Sequence, residues 1–258
     1  MSDLLVRPIH SVPFLQARGL GVEAHVGRYD RRPNWDSYVP FVRGVHLPYD
    51  GYNLAALDDA HRRASIDALK DAIDYSSQYP IDRMVMHSVG TETKDGVQVG
   101  DYDRLVDAIR QLAAFSADRR LIICIENNLV YFDHNERKWA DSCEDWFNLM
   151  QAVDRPNVML TLDSSHATNN VMHLADADAR RAALFDYLKH SDYIGRVHWS
   201  DSIVSTFDGK KDQHLVPGKG DLPTEFHRAI KNLPVTKLLE QTCTEAAVDE
   251  GLAFIETL

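Results

Sequence analysis

The 258-residue sequence has few cysteines and no long apolar run. Its three cysteines, Cys124, Cys143 and Cys243, are an odd number without a CxxC spacing, which predicts a reduced protein with no disulfide framework. No stretch reaches the ~18 consecutive apolar residues typical of a membrane span. The N-terminal segment lacks the basic and apolar regions of a signal peptide. We therefore expect a cytoplasmic protein that does not associate with a membrane.

Two further absences narrow the function. No GxGxxG motif follows a predicted strand, which disfavours a dinucleotide-binding sheet. Positive charge is also scarce, because 28 Lys and Arg residues stand against 39 Asp and Glu residues, for a net charge of −11. This acidic balance makes nucleic acid a less favoured partner and raises the chance of a cation site.

The sequence does contain a regular alternation of short apolar, β-branched runs and longer amphipathic stretches. The pattern predicts parallel strands that are covered on both faces, separated by helices. The predicted strands are Leu4–Ile9, Gly21–Val26, Val42–Leu47, Arg83–Ser88, Leu121–Glu126, Val158–Asp163, Ile194–Trp199 and Lys237–Gln241. The predicted helices are Asp58–Ser77, Tyr102–Ala117, Cys143–Val153, Ala177–Lys189, Thr224–Lys231 and Thr244–Thr257.

Eight such units without a break in composition predict a single α/β domain over residues 1–258. The chain length also suits a closed (β/α)8 TIM barrel, which typically needs about 250 residues. Asp58, Ser142 and Thr224 are predicted to cap the helices that follow them.

The most informative pattern is a polar residue at the end of six consecutive strands. These residues are His46, His87, Glu126, Asp163, His198 and Glu240. Since active sites of TIM barrels lie at the C-terminal rim of the strands, the six side chains are expected to meet there. Taken singly, each could be a structural hydrogen-bonding residue or a helix cap. Because burying three carboxylates at one mouth would be costly, their recurrence favours a divalent-metal site.

Three more residues extend the predicted ligand set. His166 follows Asp163 by three positions, and Asp212 and His214 form a D-x-H pair in the loop after His198. Oxygen and imidazole ligands together suit Zn, Mn, Fe or Co better than Ca. The alternative for the D-x-H pair is a solvated loop.

Tyr49, Asn127 and Lys219 are candidates for substrate binding. Tyr49 either stacks on substrate or packs its loop, and Asn127 directly follows Glu126. Lys219 lies in a tight PGKG turn, where it could reach a phosphate or an oxyanion, or could be an exposed loop lysine.

Three other residues have open roles. Asp201 is either an acceptor for the His198 imidazole or a helix cap. His10 and His25 lie near the ends of the first two strands, and either could line the pocket.

The motifs HLPY, MHSVG, IEN, LDSSHA, VHWSD, DQHLVPGKGD and LLEQ occur in this order. Together they resemble the xylose-isomerase-like TIM-barrel superfamily, which joins sugar isomerases and epimerases with the apurinic endonuclease IV type of repair enzyme. The likeness spans residues 42–240 and is specific for the superfamily, but not for the substrate.

Resemblance to the epimerase branch implies a mononuclear site. Glu126, Asp163, His198 and Glu240 would bind one Mn, Co or Mg ion. Glu126 and Glu240 would be the catalytic residues, exchanging a proton through a metal-bound enediolate of a sugar or sugar phosphate. His166 would position a substrate hydroxyl.

Resemblance to the endonuclease branch implies three zinc ions and a substrate-facing role for Tyr49. The matching ligands are His46, His87, Glu126, Asp163, His166, His198, Asp212, His214 and Glu240. Two departures count against a repair nuclease: ENNLVYF stands where that family has ENTAGQG, and basic, aromatic loops for gripping a duplex are lacking.

The leading prediction is a metal-dependent isomerase or epimerase of carbohydrate metabolism that acts on a small sugar. The alternative is a zinc-dependent hydrolase that acts on abasic-site DNA or another phosphoester. The oligomeric state, with a homodimer as one alternative, is left open.

Overall fold

The computed structural model describes residues 3–26, 35–130, 135–206, 212–240 and 244–258. Cys243 and Gln241, the last residue of the final predicted strand, lie outside these ranges. Cys124 and Cys143 are free thiols. Within the described ranges, no helix combines the length and apolar character needed to cross a bilayer.

Eight parallel strands close into a barrel, which confirms the predicted fold class. The barrel strands are β1 (Leu4–Val6), β2 (Gly21–His25), β3 (Val42–His46), β4 (Arg83–His87), β7 (Ile122–Glu126), β9 (Val158–Asp163), β10 (Ile194–Trp199) and β11 (Lys237–Leu239). The order around the barrel is β1-β11-β10-β9-β7-β4-β3-β2. Each predicted strand is therefore present, and most are shorter than predicted by one to three residues.

Nine helices lie among the described residues. They are α1 (Val12–Arg18), α2 (Trp35–Tyr38), α3 (Asp59–Ser76), α4 (Tyr102–Ala117), α5 (Cys143–Val153), α6 (Ser164–Val171), α7 (Ala177–Leu188), α8 (Thr224–Asn232) and α9 (Glu245–Thr257). Short 3-10 turns at Val39–Phe41 and Ser191–Tyr193 lead into β3 and β10.

The helix caps are mostly as predicted. Asp58 accepts hydrogen bonds from the first turn of α3, and Ser142 accepts one from Asp145 N in α5. The prediction for Thr224 is wrong, because Thr224 is already helical and Pro223 precedes it without a side-chain cap. Helix α6 was not predicted, since all eight of its residues are buried and no amphipathic pattern marks it.

A small antiparallel sheet at the C-terminal side of the barrel was also not predicted. Its strands, β5 (Thr91–Lys94), β6 (Val97–Gln98) and β8 (Glu136–Lys138), are short and mostly polar. Strand β5 follows β4, and β8 follows β7, so the sheet forms one wall of the barrel mouth. Hydrophobic alternation is absent from these strands, and periodicity therefore gave no signal.

The strand register aligns the polar residues of neighbouring strands at the rim. His25 is paired with His46, His87 with Glu126, and Asp163 with His198. Parallel pairing thus brings side chains that are distant in sequence to one end of the barrel.

Candidate metal centre

Four buried side chains converge at the barrel mouth. One ligand atom from each of Glu126, Asp163, His198 and Glu240 lies within 4.8 Å of the others. His198 Nδ1 is 3.0 Å from Glu126 Oε1, 2.9 Å from Glu240 Oε2 and 3.7 Å from Asp163 Oδ2. We call these four residues the central cluster.

Two further groups share residues with the central cluster. His46 and His87 approach the second oxygen of Glu126, with Nε2–Oε2 distances of 3.2 and 3.3 Å. Asp163, His166 and His214 form the other group. Asp212 joins it, because its Oδ2 is 3.6 Å from His166 Nε2 and also contacts His214. The structure therefore places all the sequence-predicted ligands together.

The central cluster has more acceptors than protons. An imidazole Nδ1 carries at most one hydrogen, yet carboxylate oxygens of three residues surround the Nδ1 atom of His198. Asp163 Oδ2, Glu240 Oε2 and Asp212 Oδ1 are buried without a hydrogen-bond partner. Ligand atoms about 3 Å apart are also what metal–ligand bonds of about 2.1 Å produce. These residues therefore fit a divalent cation.

The pKa values of the cation-free centre follow from its charge. Burial lowers the pKa of His198, but Glu240, Glu126 and Glu23 outweigh burial and hold it well above its ordinary value. Burial likewise opposes a charged His214, yet Glu240 and Asp212 raise its pKa to about 9. Positive charge is thus stabilised on ligand nitrogens, from which a metal would displace the protons.

At two other residues of the metal centre, burial has the largest effect on the pKa. It raises the pKa of Asp163 to about 7 and lowers the pKa of His87 to about 4. A cation beside Asp163 would favour its charged form.

Hydrogen bonds orient three of the histidines in the same way. The Nδ1 atoms of His46, His87 and His166 lie 2.7, 2.9 and 2.8 Å from Leu47 O, Asn128 Oδ1 and Asn127 O. An Nδ1–H donated to these oxygens leaves each Nε2 free to face the centre. His198 has the opposite orientation, with Nδ1 toward the central cluster.

The predicted substrate residues have different positions. The Tyr49 ring lies 4.5 Å from the His87 ring and 5.5 Å from the His46 ring, at the mouth. The side chain of Asn127 instead bonds both the backbone N and O of Asp163, at 2.7 and 3.0 Å. The Lys219 amine is 2.9 Å from Glu250 on an exposed surface. The structure does not bring Asn127 or Lys219 into the open mouth.

Asp201 has neither of its predicted roles. It accepts hydrogen bonds from the backbone N–H groups of Ser202, Gly218 and Leu222, and it lies 3.3 Å from His227 Nε2. These contacts anchor the PGKG turn and do not include His198. Gly220 is required beside it, since a Cβ at that position would lie 2.3 Å from Asp201 Oδ1.

His25 and Glu23 of β2 are the additional residues at this end of the barrel. The His25 ring stacks on His46 at 4.5 Å, so His25 lines the pocket, whereas His10 packs on Phe14. Glu23 is fully buried, with Oε1 2.9 Å from His198 Nε2. Glu23 was not predicted as a site residue, although an acidic residue inside the apolar run GVEAHV is a usable signal.

A groove of about 600 Å³ opens beside the centre, between the β3–α3 loop and the small antiparallel sheet. Tyr49 belongs to its wall and also contacts His87. Tyr52, Asp58, Glu136 and Lys138 contribute aromatic and mixed charged groups to the same groove.

Comparisons with known proteins agree with this architecture. Endonuclease IV from Thermus thermophilus superposes with a TM-score of 0.68, 16% identity and coverage of 99% of each chain. The 3-keto-D-glucoside 4-epimerase of E. coli gives a TM-score of 0.69, 14% identity and 100% coverage of each chain. At these identities, the likeness shows the fold alone.

Sequence comparison gives a curated relative and a family. "Probable endonuclease 4" of Chloroflexus aggregans is 29% identical over 204 residues, which are 74% of this chain and 67% of that protein. The family described as xylose isomerase-like TIM barrel matches residues 36–258. This chain belongs to the xylose isomerase-like TIM-barrel family.

Proposed function

We propose that this protein is a divalent-metal-dependent isomerase or epimerase of a sugar or sugar phosphate. The observation that carries the proposal is a pair of buried glutamates around one position. Glu126 and Glu240 present oxygens 3.0 and 2.9 Å from the same nitrogen of His198. Two fixed carboxylates at one reaction centre are suited to removing and returning a proton at carbon.

The central cluster would hold the metal, with Mn, Co or Mg as the candidate ions. When bound, the ion would draw electrons from a substrate carbonyl and so acidify the neighbouring C–H group. All four residues of the cluster are at most 7% exposed, so the surroundings would screen this effect weakly.

Each glutamate is anchored by one oxygen while the other faces His198. Glu240 Oε1 accepts a 2.6 Å hydrogen bond from Arg7, and Glu126 Oε2 faces His46 and His87. Burial raises the pKa of both glutamates, but interactions with His198 and with their other neighbours outweigh it and hold the pKa values well below the ordinary one. Both carboxylates are therefore ionised at neutral pH, as a proton acceptor must be.

The other residues would orient the substrate. His166 is held through Nδ1, so its Nε2 would contact a substrate hydroxyl. Tyr49 would cover the substrate from the groove side. The groove volume of about 600 Å³ suits a small ligand, and its mixed charges suit a polyol better than a polyanionic duplex.

Solvent exchange tests this proposal. Protein reconstituted with Mn or Co is incubated in D2O with a panel of aldoses, ketoses and their phosphates, and C–H exchange is followed by NMR. Turnover should fall about 10²–10⁴-fold in Glu126→Gln and Glu240→Gln, the range expected for loss of an acid–base group. Glu245→Gln makes the same chemical change at an exposed residue bonded to Ser11 and should keep activity. Absence of exchange with every sugar in the metal-loaded protein would contradict the proposal.

A second candidate is a multinuclear zinc phosphodiesterase that resembles endonuclease IV and cleaves abasic-site DNA or another phosphoester. The specific observation in its favour is that each of the two further ligand groups shares one residue with the central cluster. The group with His46 and His87 shares Glu126, and the group with His166 and His214 shares Asp163. An isomerase needs only the central cluster, whereas closely spaced ions suit in-line displacement at phosphorus. The curated relative also supports this candidate.

Metal content separates the two candidates. About three zinc ions per chain by elemental analysis, together with cleavage of an abasic-site oligonucleotide, would favour the phosphodiesterase. One metal per chain with sugar-dependent C–H exchange would exclude it in favour of the isomerase.

A further inference from the structure

Glu23 lies on the side of His198 opposite the central cluster. Its side chain is fully buried, and Oε1 is 2.9 Å from His198 Nε2. We propose that Glu23 is a positioning residue: it accepts the Nε2–H of His198 and thereby holds Nδ1 toward Glu126, Asp163 and Glu240. This inference rests on the proposed metal centre, but it does not depend on which reaction the centre performs.

The reversed orientation of His198 makes such a residue necessary. His46, His87 and His166 each direct Nδ1 to an oxygen and present Nε2 to the centre. His198 presents Nδ1, so its single proton in the neutral form must be on Nε2. If that proton were on Nδ1, the ring could not ligate a cation through that atom. A carboxylate acceptor at Nε2 selects the tautomer that can bind metal, and it makes the ring more basic.

Arg196 lies beside the second oxygen of the Glu23 carboxylate. Its Nε is 3.8 Å from Glu23 Oε2, and both side chains are fully buried. The guanidinium also donates to Arg43 O at 3.2 Å. Gly44 leaves room for it, since a Cβ there would lie 2.8 Å from Nη1 and Nη2. Because a lone buried carboxylate is costly, Arg196 lowers the cost of burying the Glu23 charge. At 3.8 Å it makes no hydrogen bond to Glu23, whose hydrogen-bond partner is His198.

Three variants separate positioning from folding. Glu23→Gln keeps the shape and removes the charge. Glu23→Leu combined with Arg196→Met removes the acceptor and leaves no buried charge behind, so this double variant protects the fold. Arg196→Met alone is the matched control, because it changes the barrel interior and keeps the Glu23 acceptor. Circular dichroism and thermal melting check each fold.

The readouts use Co2+ and Zn2+ without substrate. Competition titration should show Co2+ affinity about 10–100-fold weaker in the double variant, with a smaller loss in Glu23→Gln and the smallest in Arg196→Met. Long-range 1H–15N spectra of the Zn2+-loaded wild type should show a His198 Nε2–H proton that is shifted far downfield and exchanges slowly, because it is donated to Glu23. In the Glu23 variants this proton should move upfield and exchange faster. A structural role alone would leave its resonance unchanged.

Each outcome decides the question. An unchanged affinity together with an unchanged His198 Nε2–H resonance in the folded double variant would overturn the role of Glu23, while the metal centre would stand. An equal loss of affinity in Arg196→Met would also overturn it, since the Glu23 acceptor is intact there. If the wild type binds neither metal, the metal centre and this inference both fail.

Discussion

Two buried polar networks adjoin β10, and they differ in whether carboxylate oxygens are left without hydrogen-bond donors. Behind the strand, Trp199 Nε1 donates to His227 Nδ1 at 2.9 Å, and His227 Nε2 lies 3.3 Å from Asp201. Asp201 also accepts three backbone N–H groups, so neither of its oxygens lacks a donor. The buried atom of this network without a hydrogen bond is a donor, His227 Nε2, and it faces the Asp201 carboxylate. In the central cluster, by contrast, carboxylates of three residues surround His198 Nδ1, and buried oxygens lack partners.

The contrast gives a criterion for buried acids and histidines. A network whose protons match its lone pairs stabilises the fold without further help. A network with surplus buried oxygen atoms is stable only if a cation supplies the missing positive charge. We therefore assign a structural role to Asp201–His227 and a metal-binding role to the central cluster. The following predictions test this distinction.

Metal removal should have the largest effect. A cation that binds only the folded protein at 100 times its Kd stabilises it by about 2.7 kcal/mol, or roughly 5–10 °C in Tm for a domain of this size. Chelated wild type should therefore melt at least that much lower than the Co2+-loaded protein in differential scanning calorimetry. In Glu126→Gln the metal-dependent shift should be smaller, since one ligand of the cluster is weakened; an undiminished shift would place the metal elsewhere.

Metal binding should also release protons. The pKa of His214 is raised to about 9 and that of His198 is raised well above its ordinary value, so both carry protons at pH 7 in the metal-free protein. Ligation requires neutral imidazole, and affinity should therefore rise with pH up to about 9. Calorimetry in buffers of different ionisation enthalpy should show proton release at pH 7 and less at pH 9.5. Equal release at both pH values would contradict the assignment of these ligands.

The Asp201–His227 network should affect stability without affecting the metal. Asp201→Asn removes the charge from an acceptor of three backbone N–H groups, and it should cost about 1–3 kcal/mol in urea unfolding. Co2+ affinity should stay within about threefold of wild type. A large loss of affinity with little change in stability would reverse the roles of the two networks.

A carboxyl outside both networks should give the smallest effect. Burial, with help from Asp145, raises the pKa of Asp141 from 3.8 to about 6. Because the pKa of Asp141 is above the ordinary value in the folded protein, ionisation of this carboxyl destabilises the fold. The free energy of unfolding should therefore fall progressively as the pH rises from about 4 to about 6. Asp141→Asn should therefore be more stable than wild type by about 1 kcal/mol at pH 7.5, after discounting for partial solvent exposure. The two proteins should be nearly equal at pH 4, and a gain that is independent of pH would refute the explanation.

The sequence by itself determined the barrel and six of the nine candidate ligands at its mouth. Nearly continuous apolar runs are local signals, and these six residues each end such a run, so Glu126 and Asp163 could be placed at strand ends from the sequence alone. The buried helix α6 and the polar strands β5, β6 and β8 gave no such signal, and tertiary packing alone determined them.

Only the tertiary structure decided how the side chains share their protons. It directed Asn127 to the backbone of Asp163 and Lys219 to Glu250, and it placed Glu23 beneath His198. These contacts join residues far apart in the chain, and hydrogen-bond direction depends on distances of a few tenths of an ångström. A sequence pattern fixes which strand a residue belongs to, whereas the closure of the barrel decides which groups it meets across the axis.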